Sequence, residues 1–267
     1  MILAIDVGNT QTVFGLFSAT PAADPGVGYA LDSCWRVSTN SLLTADELRV
    51  KLGMLLQAGG RGWSDVDACV LASVVPRLTA VYQELAITAT GMAPMTVGPG
   101  LKTGMSVRYD NPHEVGADRI ANSVAAFAEF GGPAVIVDFG TATTLDVIDG
   151  TGAYLGGAIA PGVETSAEAL FSKAARLSVV DLEAPSRVIG TNTRASVQAG
   201  LVLGEAVMID GLVRRIWEEL GTQTPVLATG GLAEKMADIC ETITHVDADL
   251  TLKGLILIYA RNTGAES

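Results

Sequence analysis

Residues Ile5–Thr12 read IDVGNTQT, and residues Val137–Thr144 read VDFGTATT. Each is a D-x-G followed by a small polar run that ends in threonine. Asp6 matches Asp138 and Gly8 matches Gly140, an offset of 132 residues in a chain of 267. A fixed offset of about half the chain marks an internal repeat. Apolar runs flank both copies: MILAIDV and QTVFGLF around the first, Ala134–Asp138 and Thr143–Ile148 around the second. Both therefore read as two short strands joined by a tight glycine turn.

The same grammar follows each hairpin. After the first come a third strand over Ser33–Val37 and a helix over Thr44–Gln57. That helix is capped by Thr44 with Glu47 three residues on, and Leu48, Leu52 and Leu55 share a face. A buried strand at Ala68–Val74, a helix at Arg77–Ala89 and a short strand at Met95–Val97 follow. The Gly-, Pro- and Asn-bearing segment Lys102–Gly116 reads as a loop, and a helix from Asp118 to Phe130 places Ile120, Val124 and Phe127 on one side. After the second hairpin come a strand at Tyr154–Ala160 and a helix with Ala167, Leu170 and Ala174. A long helix over Arg194–Leu220, a strand at Pro225–Ala228 running into Gly230-Gly231, and two closing helices complete the chain. Two lobes are expected, residues 1–117 and 118–267, abutting across a cleft with the helix from Asp118 at their junction.

Composition narrows the function classes. The chain is 49% hydrophobic and only 17% charged, which fits packed cores and excludes a disordered chain. Its net charge of −12 argues against broad nucleic-acid binding, which needs clustered Lys and Arg. A phosphorylated ligand stays open, because backbone N–H groups and bound cations hold phosphate without basic side chains. Cys34, Cys69 and Cys240 are scattered, and with two histidines they form no metal-ligand spacing and no disulfide framework. The start MILAIDVGNT lacks a basic n-region, and the apolar stretch Leu201–Val213 is broken by Glu205 and Asp210. A cytoplasmic protein with no membrane span is expected.

The hairpin pattern suits phosphate chemistry. Glycine turns the chain tightly and lets a phosphate approach the backbone. Threonine hydroxyls add donors in little space, and an aspartate at the strand end can hold hydrated Mg²⁺. Either hairpin alone reads equally as an ordinary β-turn; two matched copies at half-chain spacing favour a clamp on a polyphosphate. Neither a Walker A sequence nor a G-x-G-x-x-G before a helix occurs.

The paired hairpins resemble the two phosphate motifs of the acetate and sugar kinase and actin superfamily, and VLATGG at Val226–Gly231 is similar to its adenosine-bordering turn. YDNPHEVGADRIAN at Tyr109–Asn122, GGAIAPG at Gly156–Gly162 and IGTNT ending at Thr193 narrow the likeness. Taken in order, these motifs closely resemble type III pantothenate kinase across nearly the whole chain. The resemblance implies an α/β fold of two duplicated ribonuclease-H-like lobes, actin/hexokinase-like, each a mixed five-stranded sheet flanked by helices. It also implies transfer of the ATP γ-phosphoryl group to pantothenate, the first step of coenzyme A synthesis, with Mg²⁺ accompanying ATP. A monovalent cation (K⁺ or NH₄⁺) and a homodimer are implied as well.

The resemblance carries roles onto matching positions. ATP falls on Asp6, Val7, Gly8, Asn9, Thr10, Gln11, Thr12, Val13 and Thr141; the monovalent cation falls on Asp138. Pantothenate falls on Tyr109, Gly116, Ala117, Asp118, Arg119 and Thr193, with Asp118 as the catalytic base. As chemistry, a carboxylate at a helix start can orient the attacking hydroxyl, and Asp118 also reads as an ordinary N-cap. Arg119 offers a planar fork for a carboxylate, or is a surface arginine. Tyr109 reads as a pocket wall or as loop packing, while His113 and His245 read as non-catalytic. Gly200, Gly204 and Gly211 weaken the long helix, so either its own sheet or a second subunit should pack close there. A kinase for a sugar or short acid, a non-catalytic regulator and a polyphosphate phosphatase are the competing readings.

Overall fold

The computed structural model describes residues 1–20, 28–174, 177 and 179–264. β1 (Ile2–Val7) turns back into β2 (Gln11–Ala19), which pairs antiparallel with β3 (Tyr29–Ser38). On the other side of β1, β4 (Ala68–Ser73) and β5 (Met95–Thr96) add in parallel, giving the order β3-β2-β1-β4-β5. β6 (Ala134–Phe139), β7 (Ala142–Ile148), β8 (Tyr154–Pro161), β9 (Val226–Gly230) and β10 (His245–Val246) repeat the plan as β8-β7-β6-β9-β10, with the same parallel and antiparallel pairings. The duplication expected from the two hairpins is thus a duplication of strand order.

The first sheet has helices on both faces. Leu3, Ile5 and Val7 of β1 point toward α1 (Ala45–Ala58) and α2 (Pro76–Thr90), where they form one core with Leu48, Leu52, Leu56, Leu78 and Leu85. Thr44 caps α1 through its hydroxyl on Glu47 N, and Glu47 returns a bond to Thr44 N at 2.9 Å. The buried stripe runs through Leu56, whereas Leu55, expected inside, is only half-buried. On the opposite face lies α8 (Leu250–Thr263): a methyl on Gly15 of β2 would sit 2.8 Å from Leu252 Cδ1.

α3 (Ala117–Phe130) departs from the expected one-sided amphipathic helix, because every residue from Arg119 to Ala126 is buried. The cause is α8. A Cβ on Gly254 would collide with the Ala121 carbonyl, so the two helix backbones cross in direct contact. Thr251 Oγ1 donates to the buried Asn122 Oδ1 at 2.7 Å beside that crossing. Both helices accordingly belong with the first sheet. The compact units are Met1–Glu129 with Asp249–Ser267, and Phe130–Ala248. This division differs from the one drawn at 117/118: motif order locates the second hairpin but not the sheet that a connecting helix covers.

In the second unit α5 (Thr193–Gln198) runs through a π turn at Ala199–Leu203 into α6 (Gly204–Leu220). Over Thr193–Leu220 this helix is long and apolar enough to cross a membrane, with mean hydropathy 1.4 in its most apolar window. Its apolar side is committed elsewhere: Val202, Ala206, Ile209 and Val213 pack on Val135, Val137, Phe139 and Leu145. The two charges that interrupt it are buried and hydrogen-bonded. Asp210 accepts from Glu241 N and Thr242 N, both at 2.9 Å, and Glu205 accepts from Thr143 Oγ1 at 2.5 Å. Gly200 and Gly211 meet nothing at their Cβ positions, and Gly204 meets only the Ala199 carbonyl at 4.0 Å. Close packing on their own sheet, one of the two readings of these glycines, is therefore not their role.

α4 (Val163–Lys173) follows β8, and α7 (Ala233–Ala237) precedes β10. β3 is longer than expected because an edge strand needs only one half-buried face, and its burial alternates along its length. β10 has two exposed residues and no apolar run, so pattern reading misses it. Cys34, Cys69 and Cys240 are all free thiols.

Replacing Gly254 with valine should force α8 off α3. The expected cost is about 1–3 kcal/mol or more of stability, measured by urea denaturation against wild type.

Candidate active site

The first hairpin is built from backbone contacts. Gly8 N donates to Gln11 O at 3.0 Å, and a Cβ on Gly8 would lie 2.8 Å from that oxygen, so only glycine closes the turn. Asn9, Thr10 and Gln11 are exposed at its tip, while Val7 and Thr12 are fully buried. Among the expected ATP residues, Val7 and Thr12 can thus act only through the backbone they shape. Asp6 is half-buried one residue before the strand end, and Val13 lies across the ladder from it.

Thr39, which the motifs do not flag, straps this hairpin. Its N donates to Thr10 O at 2.8 Å and its Oγ1 donates to Gly8 O at 2.8 Å. The same hydroxyl lies 2.8 Å from Thr12 Oγ1, which also interacts with the Tyr82 hydroxyl.

Asp118 sits at the same end of the sheet. Val74 N donates to Val7 O at 3.1 Å, just before the turn, and Val74 Cγ1 lies 3.5 Å from where a Gly116 Cβ would be. Val74 therefore joins the start of α3 to the hairpin at the carboxyl ends of β1 and β4, where α/β sheets place ligands. A Cβ on Gly116 would strike Asp118 Oδ1, so this glycine leaves room for the carboxylate. Asp118 is the second residue of α3 rather than its cap, and its Oδ1 accepts from Arg119 N at 2.8 Å. Burial pushes its carboxyl above the usual 3.8, while the Arg119 N–H and charge pull it back. Arg119 is 8% exposed, which removes the reading as a surface arginine. Tyr109 is half-buried in the loop ahead of α3. Asp6, Gly8 and Asp118 thus share one end of one sheet.

The second unit holds the matching turn. Gly140 N donates to Ala142 O at 3.1 Å, and the exposed Thr141 occupies the tip. Thr141 O accepts from Gly162 N at 3.0 Å and from Thr165 Oγ1 at 2.6 Å, and a Cβ on Gly162 would strike Gly140 O. The register shows a difference between the copies that motif alignment hides. Val7 pairs with Thr12, but Phe139 pairs with Thr143, so the second turn is one residue shorter. Thr143, not Thr144, is the structural counterpart of Thr12, and both are fully buried.

Asp138 Oδ1 would lie 2.5 Å from a Cβ on Gly230, whose φ of +93° itself calls for glycine. The Gly230-Gly231 turn is thereby tied to Asp138. Beneath the hairpin, burial raises the carboxyl of Glu205 while Thr143 pulls it down. Thr193 begins α5 behind Asn192, whose Oδ1 accepts from Ala195 N at 2.9 Å. An open cavity of about 590 Å³ lies there, lined by Leu170, Asn192, Thr193, Ser196, Val197 and Leu201. Asp138, Thr141 and Thr193 therefore belong to the second unit, apart from the residues grouped around Asp118 in the first.

Among the described residues no group of three or more His, Cys, Asp or Glu could hold a metal ion. A cation at Asp6 or Asp138 would have one carboxylate from this chain, completed by backbone oxygens, waters or ligand phosphates. That is how Mg²⁺ is commonly held in nucleotide sites.

A profile of type III pantothenate kinase matches residues 2–215. The type III pantothenate kinase of Moorella thermoacetica is 47% identical over 263 residues, spanning 98% of this chain and 100% of that protein. Among solved structures, a Campylobacter jejuni protein assigned to the Baf family of transcriptional activators aligns over 98% of this chain and 99% of its own, with TM-score 0.63 at 18% identity. The ROK hexokinase of Thermus thermophilus covers 98% and 99% with TM-score 0.51 at 13% identity. At such identities these two speak to the fold alone, and they bear out the expected hexokinase-like architecture. The profile match and the near-full-length identity settle membership: this chain belongs to the type III pantothenate kinase family.

Proposed function

We propose that this protein transfers the γ-phosphoryl group of ATP to the primary hydroxyl of pantothenate, giving 4′-phosphopantothenate and ADP in the first step of coenzyme A synthesis. Beyond family membership, the observation that carries this reading is Asp118. It is a carboxylate drawn into a half-buried helix start, with space kept for it by Gly116, at the sheet end that holds the first hairpin.

In the proposed mechanism the backbone of Asp6 to Val13, with Thr141, holds the triphosphate. Pantothenate lies against Tyr109, Gly116, Ala117, Arg119 and Thr193, its carboxylate paired with the Arg119 fork. The hydroxyl oxygen forms a bond to the γ-phosphorus as the bond to the β–γ bridging oxygen breaks, and the hydroxyl proton passes to Asp118. Phosphoryl transfer is loose, so Asp118 acts mainly by orienting the alcohol. Mg²⁺ supplies charge neutralisation on the phosphates when bound. Asp138 is the proposed ligand of a monovalent cation, K⁺ or NH₄⁺, and the protein is proposed to work in the cytoplasm.

A homodimer fits one further observation. The exposed Gly200, Gly204 and Val207 and the half-buried Gly211 follow one another from the π turn into α6 at spacings of four, three and four, with open space at each glycine's Cβ position or only the Ala199 carbonyl at 4.0 Å. Such a stripe would let a second backbone approach closely. Sedimentation of Gly200→Leu and Gly204→Leu is expected to show monomers where the wild type is dimeric. Dimers from both folded variants would remove this face as the interface.

Purified protein with ATP, Mg²⁺ and K⁺ should release ADP only when pantothenate is present. Asp118→Asn should lower kcat by about 10²–10⁴-fold. Turnover with other alcohols but not pantothenate would discard the substrate.

Asp118 also makes a stability prediction. Its folded carboxyl binds the proton more tightly than the unfolded one, so the ionised form costs stability at every pH above the unfolded value. Asn keeps the acceptor for Arg119 N and removes the charge. The inactive Asp118→Asn is therefore expected to melt at or above the wild-type temperature at pH 7.

The acid limb of kcat/KM for pantothenate, which reports the enzyme before pantothenate binds, should lie above the 3.8 of a free aspartate. Arg119→Met should move it to still higher pH, because the charge that lowers Asp118 is gone. A limb that moves down would contradict the assignment of Asp118 as the group titrating.

A further inference from the structure

Two carbonyls of the first hairpin's turn, Gly8 O and Thr10 O, are taken by one residue outside the hairpin. Thr39 donates its N–H to Thr10 O and its hydroxyl to Gly8 O, each at 2.8 Å. Its single hydroxyl proton goes to Gly8 O, so Thr12 Oγ1 is the donor in the 2.8 Å contact with Thr39 Oγ1. The buried Thr12 hydroxyl thus backs the half-buried Thr39, whose own hydroxyl ends on the carbonyl of the turn glycine.

In a planar trans peptide the carbonyl and the N–H of the next residue point in opposite directions. Fixing Gly8 O and Thr10 O on Thr39 therefore also fixes the N–H groups of Asn9 and Gln11, aimed away from Thr39 at an exposed tip. Backbone donors held together with their carbonyls turned aside form an anion cradle, whereas a free carbonyl could swing toward an anion and repel it.

The second hairpin shares one of these two anchors, with different residues. The residue after its third strand, Gly162, donates its N–H to Thr141 O, as Thr39 after β3 does to Thr10 O, and the hydroxyl of Thr165 adds a second bond. Two lobes that each hold a turn carbonyl from just past the third strand, by different residues, point to a requirement of the ligand, not of one local sequence.

We infer that Thr39 is a positioning residue for the nucleotide phosphates, holding the Gly8 and Thr10 carbonyls so that the hairpin presents donors to the anion. The inference rests on the reading that this hairpin holds the triphosphate.

The test uses the full chain and Mg·ATP. ATP affinity is measured by calorimetric titration and KM for pantothenate by steady-state kinetics, in Thr39→Val, Thr39→Ser and Asp6→Asn. Loss of one hydrogen bond aimed at a charged ligand's cradle should weaken ATP about tenfold in Thr39→Val. Pantothenate KM should stay within about twofold of wild type, and Thr39→Ser should restore ATP binding. Equal losses for both substrates would mark a merely structural threonine and overturn the inference. ATP affinity unchanged in Thr39→Val but weakened in Asp6→Asn would also overturn it, leaving the hairpin reading intact. Affinity unchanged in Asp6→Asn would overturn the hairpin reading and the inference with it. If Thr39→Val does not fold, Thr39→Ala, which removes the same hydroxyl, is read against the same outcomes.

Discussion

A strand that ends in D-x-G can hold a polyphosphate only if its turn is tight enough to expose backbone and rigid enough not to swing its carbonyls inward. In the first hairpin the tightness comes from Gly8, where any Cβ would crowd Gln11 O at 2.8 Å. The rigidity comes from Thr39, at the end of the third strand. In the second hairpin Gly162 does both jobs from outside, fitting against Gly140 O and donating to Thr141 O. The rest of each sheet can be read as the scaffold these turns need: the third strand must return to the hairpin, and the parallel strand beside the first must end at the same level.

Asp118 depends on that scaffold at one remove. Its helix is clamped by the Gly254–Ala121 crossing and enclosed by α8, and Val74 ties its start to the strand that carries the first hairpin. A carboxylate held there is costly, since burial favours its neutral form. Arg119 offsets part of that cost. Strain of this kind is common where a residue is kept for chemistry at the expense of stability.

Much of this was legible in the sequence. The hairpins, their offset, the capping box of α1 and the position of nearly every strand follow from period, glycine turns and caps. What escaped did so for physical reasons. Thr39 lies outside any motif, and its three hydrogen bonds arise only when β3 folds back on β2. Leu55 and Leu56 lie about 100° apart, on the two edges of the stripe through Leu48 and Leu52, so a period alone does not choose between them. Asp118 and the cap position differ by two residues, within the error of any boundary read from sequence. The one-residue shortening of the second turn is hidden because IDVGNTQT and VDFGTATT align without a gap, and only strand register reveals it. Glu205 looked like a charge interrupting an apolar helix; its partner Thr143 is 62 residues away in sequence.

The most direct test is a crystal structure of the protein with Mg²⁺ and a non-hydrolysable ATP analogue. Phosphate oxygens should lie within hydrogen-bond distance of the backbone N–H groups between Gly8 and Gln11, with the γ-phosphate end toward Asp118 and the Thr39 bonds intact. Phosphates seated away from this hairpin, or a Gly8 carbonyl released from Thr39 in the complex, would contradict the account.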